Sequence, residues 1–170
     1  LDTLAPPARD LVADLYAHGR YYALLVARTA VDCLVTSRGC PHRCRFCSNC
    51  HPGKVRVRST GACLDELSDL RDRGVETVEI LDDNFTAHQE RAADLLDQIA
   101  RARLGLRLRI KARADGVSPE LIGLAARAGV YQVSLGIESG SDRLLTAMAK
   151  GITTAQARGA ASLVLGAGLY

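Results

Sequence analysis

Residues 106–113 read Leu-Arg-Leu-Arg-Ile-Lys-Ala-Arg, apolar and basic in strict alternation. Successive side chains of a strand point to opposite faces. Leu106, Leu108, Ile110 and Ala112 therefore share one face, and Arg107, Arg109, Lys111 and Arg113 share the other. A parallel strand covered by helices on both sides is apolar throughout, and this one is not. The same split recurs in 130–138, where Val133, Leu135 and Ile137 oppose Gln132, Ser134, Gly136 and Glu138. It recurs again in 75–81, where Val78 and Ile80 oppose Thr77 and Glu79. Such strands fit helices on one side and a polar, ligand-bearing interior on the other. Four cations on one strand face are costly to bury unless anions meet them, so anionic ligands are expected in that interior.

Helical segments alternate with these strands. A first strand is expected over Val31–Ser37 and a helix over Gly61–Arg73, with Leu64, Leu67 and Leu70 on one stripe and Gly74 as its stop. Thr86-Ala-His-Gln89 has the form of a capping box, with Thr86 as N-cap of a helix carrying Ala92, Leu95, Leu96 and Ile99. Ser118-Pro119 supplies an N-cap and a proline for the first helical position. Leu121, Leu124, Ala125 and Ala128 form that helix's stripe, and Gly129 ends it. Two helices follow, over 142–149 and 154–166, with a break at Lys150-Gly151, and Leu169-Tyr170 opens a fifth strand. This order predicts parallel strands joined by right-handed crossovers. The expected fold is α/β, a partial (β/α) barrel of about four to five parallel strands with helices outside.

Residues 1–28 contain Pro6-Pro7, then Leu11, Leu15 and the pair Tyr21-Tyr22. They are expected to be a linker and packing arm from a missing upstream domain, ahead of a core domain over 29–170. The chain opens at Leu1 rather than Met and closes after a helix-like run. Truncation at both ends is therefore expected, with the core incomplete at its C-terminus. An unpaired last strand would make the isolated chain prone to aggregate. At 48% hydrophobic and 24% charged the chain can bury a core, which excludes a disordered tail and a disulfide-stapled miniprotein. The longest uncharged run, 159–170, is too short to span a bilayer, and no export signal opens the chain. A cytoplasmic protein with reduced cysteines is expected. The net charge of +3 is too mild to prove a nucleic-acid partner.

Of the six cysteines, four stand close together: Cys40, Cys44, Cys47 and Cys50. The first three form C-x3-C-x2-C in the loop after the first strand, at the carboxyl end where β/α proteins place their sites. Thiolates are soft ligands suited to iron–sulfur clusters or zinc. Three of them can hold three irons of a four-iron cube and leave the fourth iron open to a small molecule. The acid-free stretch 33–64 carries Arg38, Arg43, Arg45, Lys54, Arg56 and Arg58. These would offset the negative charge of a cluster, or form a solvated face. Two other readings stay open: a zinc knuckle completed by Cys50 and His51, and a c-type haem attachment at Cys47-Ser-Asn-Cys50-His51. The second leaves Cys40 and Cys44 without a role. Cys33 and Cys63 are expected as small core residues, and His42, His51 and His88 as exposed loop residues. Phe46 and Phe85, the two phenylalanines, both fall in loops assigned to the site.

The cysteine motif, with Phe46 just before its last cysteine, resembles that of the radical S-adenosylmethionine (SAM) enzymes. The wider string over 36–47 is similar to the branch that carries a cobalamin-binding domain upstream, which includes the anaerobic magnesium-protoporphyrin ester cyclase type. The resemblance covers about residues 21–170. It implies a radical SAM barrel and a [4Fe-4S] cluster on Cys40, Cys44 and Cys47. It also implies SAM on the open iron, and cobalamin through a domain outside this chain. The implied activity is reductive cleavage of SAM to start radical chemistry, ending in methyl transfer or cyclisation.

The family's Gly-Gly-Glu motif is replaced here by Leu81-Asp-Asp-Asn-Phe85, leaving Asp82 or Asp83 to meet the methionine amino group. Val133-Ser-Leu-Gly-Ile-Glu138 resembles the family's G-x-I-x-G-x-E region, which makes Ser134 and Glu138 cofactor-binding, with Glu138 facing the ribose. Arg113 is the choice for the SAM carboxylate and Phe46 for packing near the adenine. No catalytic residue is assigned. The implied partners are a small-molecule substrate, acidic if it is to match the basic strand face, and a low-potential electron donor of flavodoxin or ferredoxin type. Neither a membrane span nor nucleic acid is expected. Two rivals remain: a tRNA methylthiotransferase-like enzyme of the same superfamily, and a non-enzymatic iron–sulfur or zinc module. The polar strand faces and Glu138 speak against the latter.

Overall fold

The structure, a computed structural model, describes residues 1–17, 30–48 and 53–170. Strands β1 (Val31–Leu34), β4 (Thr77–Ile80), β5 (Arg107–Arg113) and β6 (Val130–Gly136) form one parallel sheet in the order β1-β4-β5-β6. Strands β2 (Ser37–Arg38) and β3 (Arg56–Val57) form a separate antiparallel ribbon. The first strand is thus shorter than expected. Thr36 and Ser37 leave the sheet because their backbone N–H groups bond the Asp82 carboxylate.

Helix α1 (Ala13–Ala17) lies in the N-terminal arm, and α2 (Thr60–Asp72), α3 (Gln89–Ala102) and α4 (Pro119–Arg127) follow β3, β4 and β5. Helices α5 (Asp142–Ala147) and α6 (Thr154–Gly166) follow β6. Ser118 caps α4 by accepting from the Leu121 N–H, as its sequence predicts. Beyond α6, Tyr170 N–H donates to Tyr131 O at 3.0 Å and Val133 N–H to Tyr170 O at 2.7 Å, so a further strand begins on the free edge of β6. The expected capping box at Thr86 does not form. Thr86 is buried in a 3-10 turn over Phe85–Ala87, its hydroxyl donating to Asn84, and α3 opens at Gln89 after an uncapping His88. The Thr86 side chain is packed against Gly116, where it cannot serve as a helix cap.

The apolar strand faces meet the helices in one core. Val78, Ile80, Leu108, Ile110, Val130 and Val133 pack with Leu67, Leu70, Leu95, Leu96, Leu121 and Ala125. Phe85 belongs to this core and is 2% exposed, so it is not a site residue. Cys63 is buried there too, while Cys33 is only half-buried. Gly129 turns the chain into β6 at φ +87°, with Leu106 O 2.5 Å from where a Cβ would sit. Gly129→Ala is expected to cost about 1–3 kcal/mol, read as a lower denaturation midpoint with an unchanged denaturant slope.

On the polar sheet face the chain supplies part of the counter-charge itself. Glu79 stands 3.3 Å from Arg109 and 3.9 Å from Lys111, Asp115 pairs with Arg113, and Arg107 stacks 4.2 Å from the Tyr131 ring centroid. The N-terminal arm reaches the sheet through Arg9, a buried guanidinium that donates to Asp32 at 2.7 Å and to Cys33 O and Glu66 at 2.8 Å. The Tyr21-Tyr22 part of the arm lies outside the described residues.

Candidate functional site

The end of β4 holds the start of the cysteine loop with two adjacent carboxylates. Asp82 is 1% exposed and accepts from Thr36 N and Ser37 N at 2.7 and 2.9 Å and from both hydroxyls of that pair. Asp83, one residue on, accepts from Gly39 N–H at 2.7 Å. The loop then runs over the carboxyl ends of β4, β5 and β6 and borders a half-open cavity of about 330 Å³.

Cys40, Cys44 and Cys47 all line that cavity, and all are free thiols. Phe46, Asp83, Arg113, Ser134 and Glu138 line it with them. One cavity thus gathers every sequence-assigned site residue except Asp82. Asp82 is turned away and its oxygens are occupied, so of the two candidate carboxylates Asp83 is the one the cavity receives. Cys50 and His51, and with them the zinc-knuckle and haem-attachment readings, lie outside the described residues.

The cations of the site are held firmly. Arg113 donates Nε and Nη2 to the two Asp115 oxygens, both at 2.9 Å, donates Nη2 also to Lys150 O at 2.7 Å, and places Nη1 3.6 Å from Cys44 Sγ. Burial works against the Arg113 charge, but the Asp115 bonds outweigh it and hold its pKa above the ordinary arginine value. Burial likewise opposes the Asp115 charge, and Arg113 overrides it, so that carboxyl sits below its usual range. Glu138 adopts a left-handed backbone, φ +67°, and pairs with Lys150 at 3.0 Å.

Local sequence reasoning missed three titratable cavity residues, Lys150, Lys111 and His42. Lys150 stood only as a helix break, and no local signal marks it. Lys111 stood in the basic strand face, without assignment to the site. His42 stands between two motif cysteines, a position that could have flagged it. Burial, with the nearby Arg113 charge, lowers its pKa.

The donor set fits a thiolate-bound cluster. Among the described residues no three His, Cys, Asp or Glu side chains are grouped to hold a single metal ion. The three thiols border a volume instead, and a guanidinium N–H faces one of the sulfurs, where a thiolate is the stronger acceptor. By contrast, burial raises the pKa of Cys33 and Cys63, which favours the neutral thiol rather than a metal ligand.

The family model of the Radical SAM superfamily matches residues 34–170. An uncharacterized methyltransferase of Pyrococcus horikoshii is 35% identical over 72% of this chain and 28% of its own length. Cytidylyl-2-hydroxyethylphosphonate methyltransferase of Streptomyces wedmorensis is 34% identical over 76% of this chain and 25% of its own. The solved structure of OxsB, a cobalamin-dependent S-adenosylmethionine radical enzyme with aqua-cobalamin bound, superposes with a TM-score of 0.72 at 25% identity. That match covers 81% of this chain and 22% of OxsB. The chain therefore spans about a quarter of the length of the relatives it matches.

Proposed function

This chain belongs to the radical SAM superfamily, and from that premise we propose that it is the cluster- and SAM-binding core of a cobalamin-associated radical SAM enzyme. The carrying observation is the single cavity that brings Cys40, Cys44 and Cys47 together with Asp83, Ser134 and Glu138. A reduced [4Fe-4S] cluster with SAM bound supplies one-electron cleavage of the sulfonium, and the protein's part is to bind, orient and exclude water. Cys40, Cys44 and Cys47 hold the cluster. Asp83 accepts the methionine amino group. Arg113 keeps only Nη1 for the cavity, beside Cys44, and meets the SAM carboxylate from there. Ser134 and Glu138 take the nucleoside, with Glu138 on the ribose, and Phe46 covers the adenine.

In this reading residues 29–170 are the core and 1–28 the linker to an upstream cobalamin domain. The outcome is methyl transfer or cyclisation on a small molecule, whose acidic group would meet Lys111, the half-exposed cation of the lumen face. A low-potential flavodoxin or ferredoxin supplies the electron. The reading places the protein in the cytoplasm, where thiols stay reduced; among the described residues no helix is long and apolar enough to cross a membrane.

The test is SAM binding to the anaerobically reconstituted full-length protein. Glu138→Gln should keep the cluster absorbance and weaken SAM about ten- to a hundredfold, the loss of a charge-assisted hydrogen bond. A wild-type reduced spectrum unmoved by SAM would leave a ferredoxin-like carrier. Stoichiometric zinc without iron would leave a zinc knuckle.

A further inference from the structure

The turn that closes α5 meets the cysteine loop and the cavity wall at several points. Arg45, between Cys44 and Cys47, donates its backbone N–H to Met148 O at 2.9 Å and its Nη1 to Ala147 O at 3.2 Å. Arg113, whose Nη1 faces Cys44 Sγ, donates Nη2 to Lys150 O at 2.7 Å. The Ala147 and Met148 carbonyls, which the end of a short helix leaves without intrahelical partners, thus hold the loop, while the Lys150 carbonyl holds Arg113 on β5.

Lys150 itself does something different. Ala149 at φ +51° and Gly151 at φ +73° bracket it in left-handed backbone, and its side chain turns into the cavity. There it is 5% exposed, 3.0 Å from Glu138 Oε1 and 5.6 Å from the Phe46 ring centroid. A lysine serving only to end a helix would carry its ammonium to water. Here the charge is withdrawn from solvent at a cost that a carboxylate and a ring face offset. Those two partners come from different elements, Glu138 from the chain just beyond β6 and Phe46 from the cysteine loop.

We propose that Lys150 is a positioning residue for the SAM subsite: one buried ammonium sets Glu138 and Phe46, the two sides of that subsite, against each other. The inference rests on the reading of Glu138 and Phe46 as SAM contacts. It separates two jobs within one turn. The carbonyls of Ala147 and Met148 hold the cysteine loop, that of Lys150 holds Arg113, and the Lys150 side chain orders the nucleoside side. Removing the charge should therefore loosen SAM and spare the cluster.

The test uses the full-length protein, reconstituted anaerobically, with iron content, the reduced-cluster EPR spectrum and the SAM dissociation constant as readouts. Lys150→Met should keep its iron and raise the SAM dissociation constant about tenfold or more, and Lys150→Arg should restore it to within about threefold of wild type. Because Lys150 acts through Glu138, the Met substitution should cost far less in a Glu138→Gln background than alone. Wild-type SAM affinity in Lys150→Met, or a full and independent loss in that background, would overturn the inference. So would loss of iron in both Lys150→Met and Lys150→Gln, which would make the side chain a support of the loop. If wild type holds its cluster but binds no SAM, the underlying reading fails; if wild type binds SAM and the variant matches it, only the role of Lys150 does.

Discussion

Replacing Cys40, Cys44 or Cys47 with alanine should take the reconstituted protein from about four irons per chain to nearly none. The same change at Cys33, Cys50 or Cys63 should leave the iron in place. The three loop thiols border one cavity, and Arg113 presents a cationic N–H to one of them. Losing one of three thiolates strips an iron of its protein ligand and opens the cube to hydrolysis. Cys33 and Cys63 lie outside that cavity, and burial raises both pKa values, which favours the neutral thiol. Cys50 is the informative control. A protein ligand on the fourth iron would close the position SAM needs, so cluster collapse in Cys50→Ala, with a spectrum unmoved by SAM, would replace the enzyme by an electron carrier. Iron analysis and the reduced spectrum with and without SAM decide between them.

Asp82→Ala should be the most destabilising substitution at the site, although Asp82 touches no part of the cavity. Its carboxylate accepts from two backbone N–H groups and two hydroxyls, and Arg91 backs the same Thr36 with bonds of 2.8 and 3.0 Å to its hydroxyl and carbonyl. Removing the acceptor leaves buried donors unsatisfied beside a guanidinium. The expected cost is about 3–5 kcal/mol, or roughly 6–20 °C in Tm for a domain of this size. Because Thr36 and Ser37 lead straight into Cys40, iron retention should fall with it. Asp83→Asn is the matched contrast. It sits one residue away on the cavity side, so it should leave Tm nearly unchanged and weaken SAM. Thermal unfolding of the two variants side by side checks this, and equal melting would remove the structural role given to Asp82.

Much of the fold was legible along the chain because its signals are local. Alternation in 106–113 marks a half-polar strand whatever surrounds it, since the period of the strand backbone is 2. Ser118-Pro119 and Gly129 begin and end α4 through bonds and backbone angles that reach only a few residues. The cysteine spacing likewise put three thiols on one loop before any tertiary contact was known.

What the chain alone left open was every choice that depended on a partner far away in sequence. Asp82 and Asp83 look equivalent in the string, yet neighbours on a strand end point oppositely. One closes on Thr36, 46 residues back, and the other on the cavity. Thr86 had the pattern of a helix cap, but tertiary packing buried it against Gly116, 30 residues on, instead. Phe85, assigned to the site by its loop, was drawn into the core by the larger apolar area it could bury there. The basic face of β5 showed only its charge until β4 brought Glu79 alongside Arg109. Lys150 looked like punctuation between two helices until the fold turned its ammonium onto Glu138. Periodicity and capping are properties of neighbouring residues and can be read one segment at a time; the pairing of buried charges is a property of which strand ends lie side by side, and only the assembled sheet decides that.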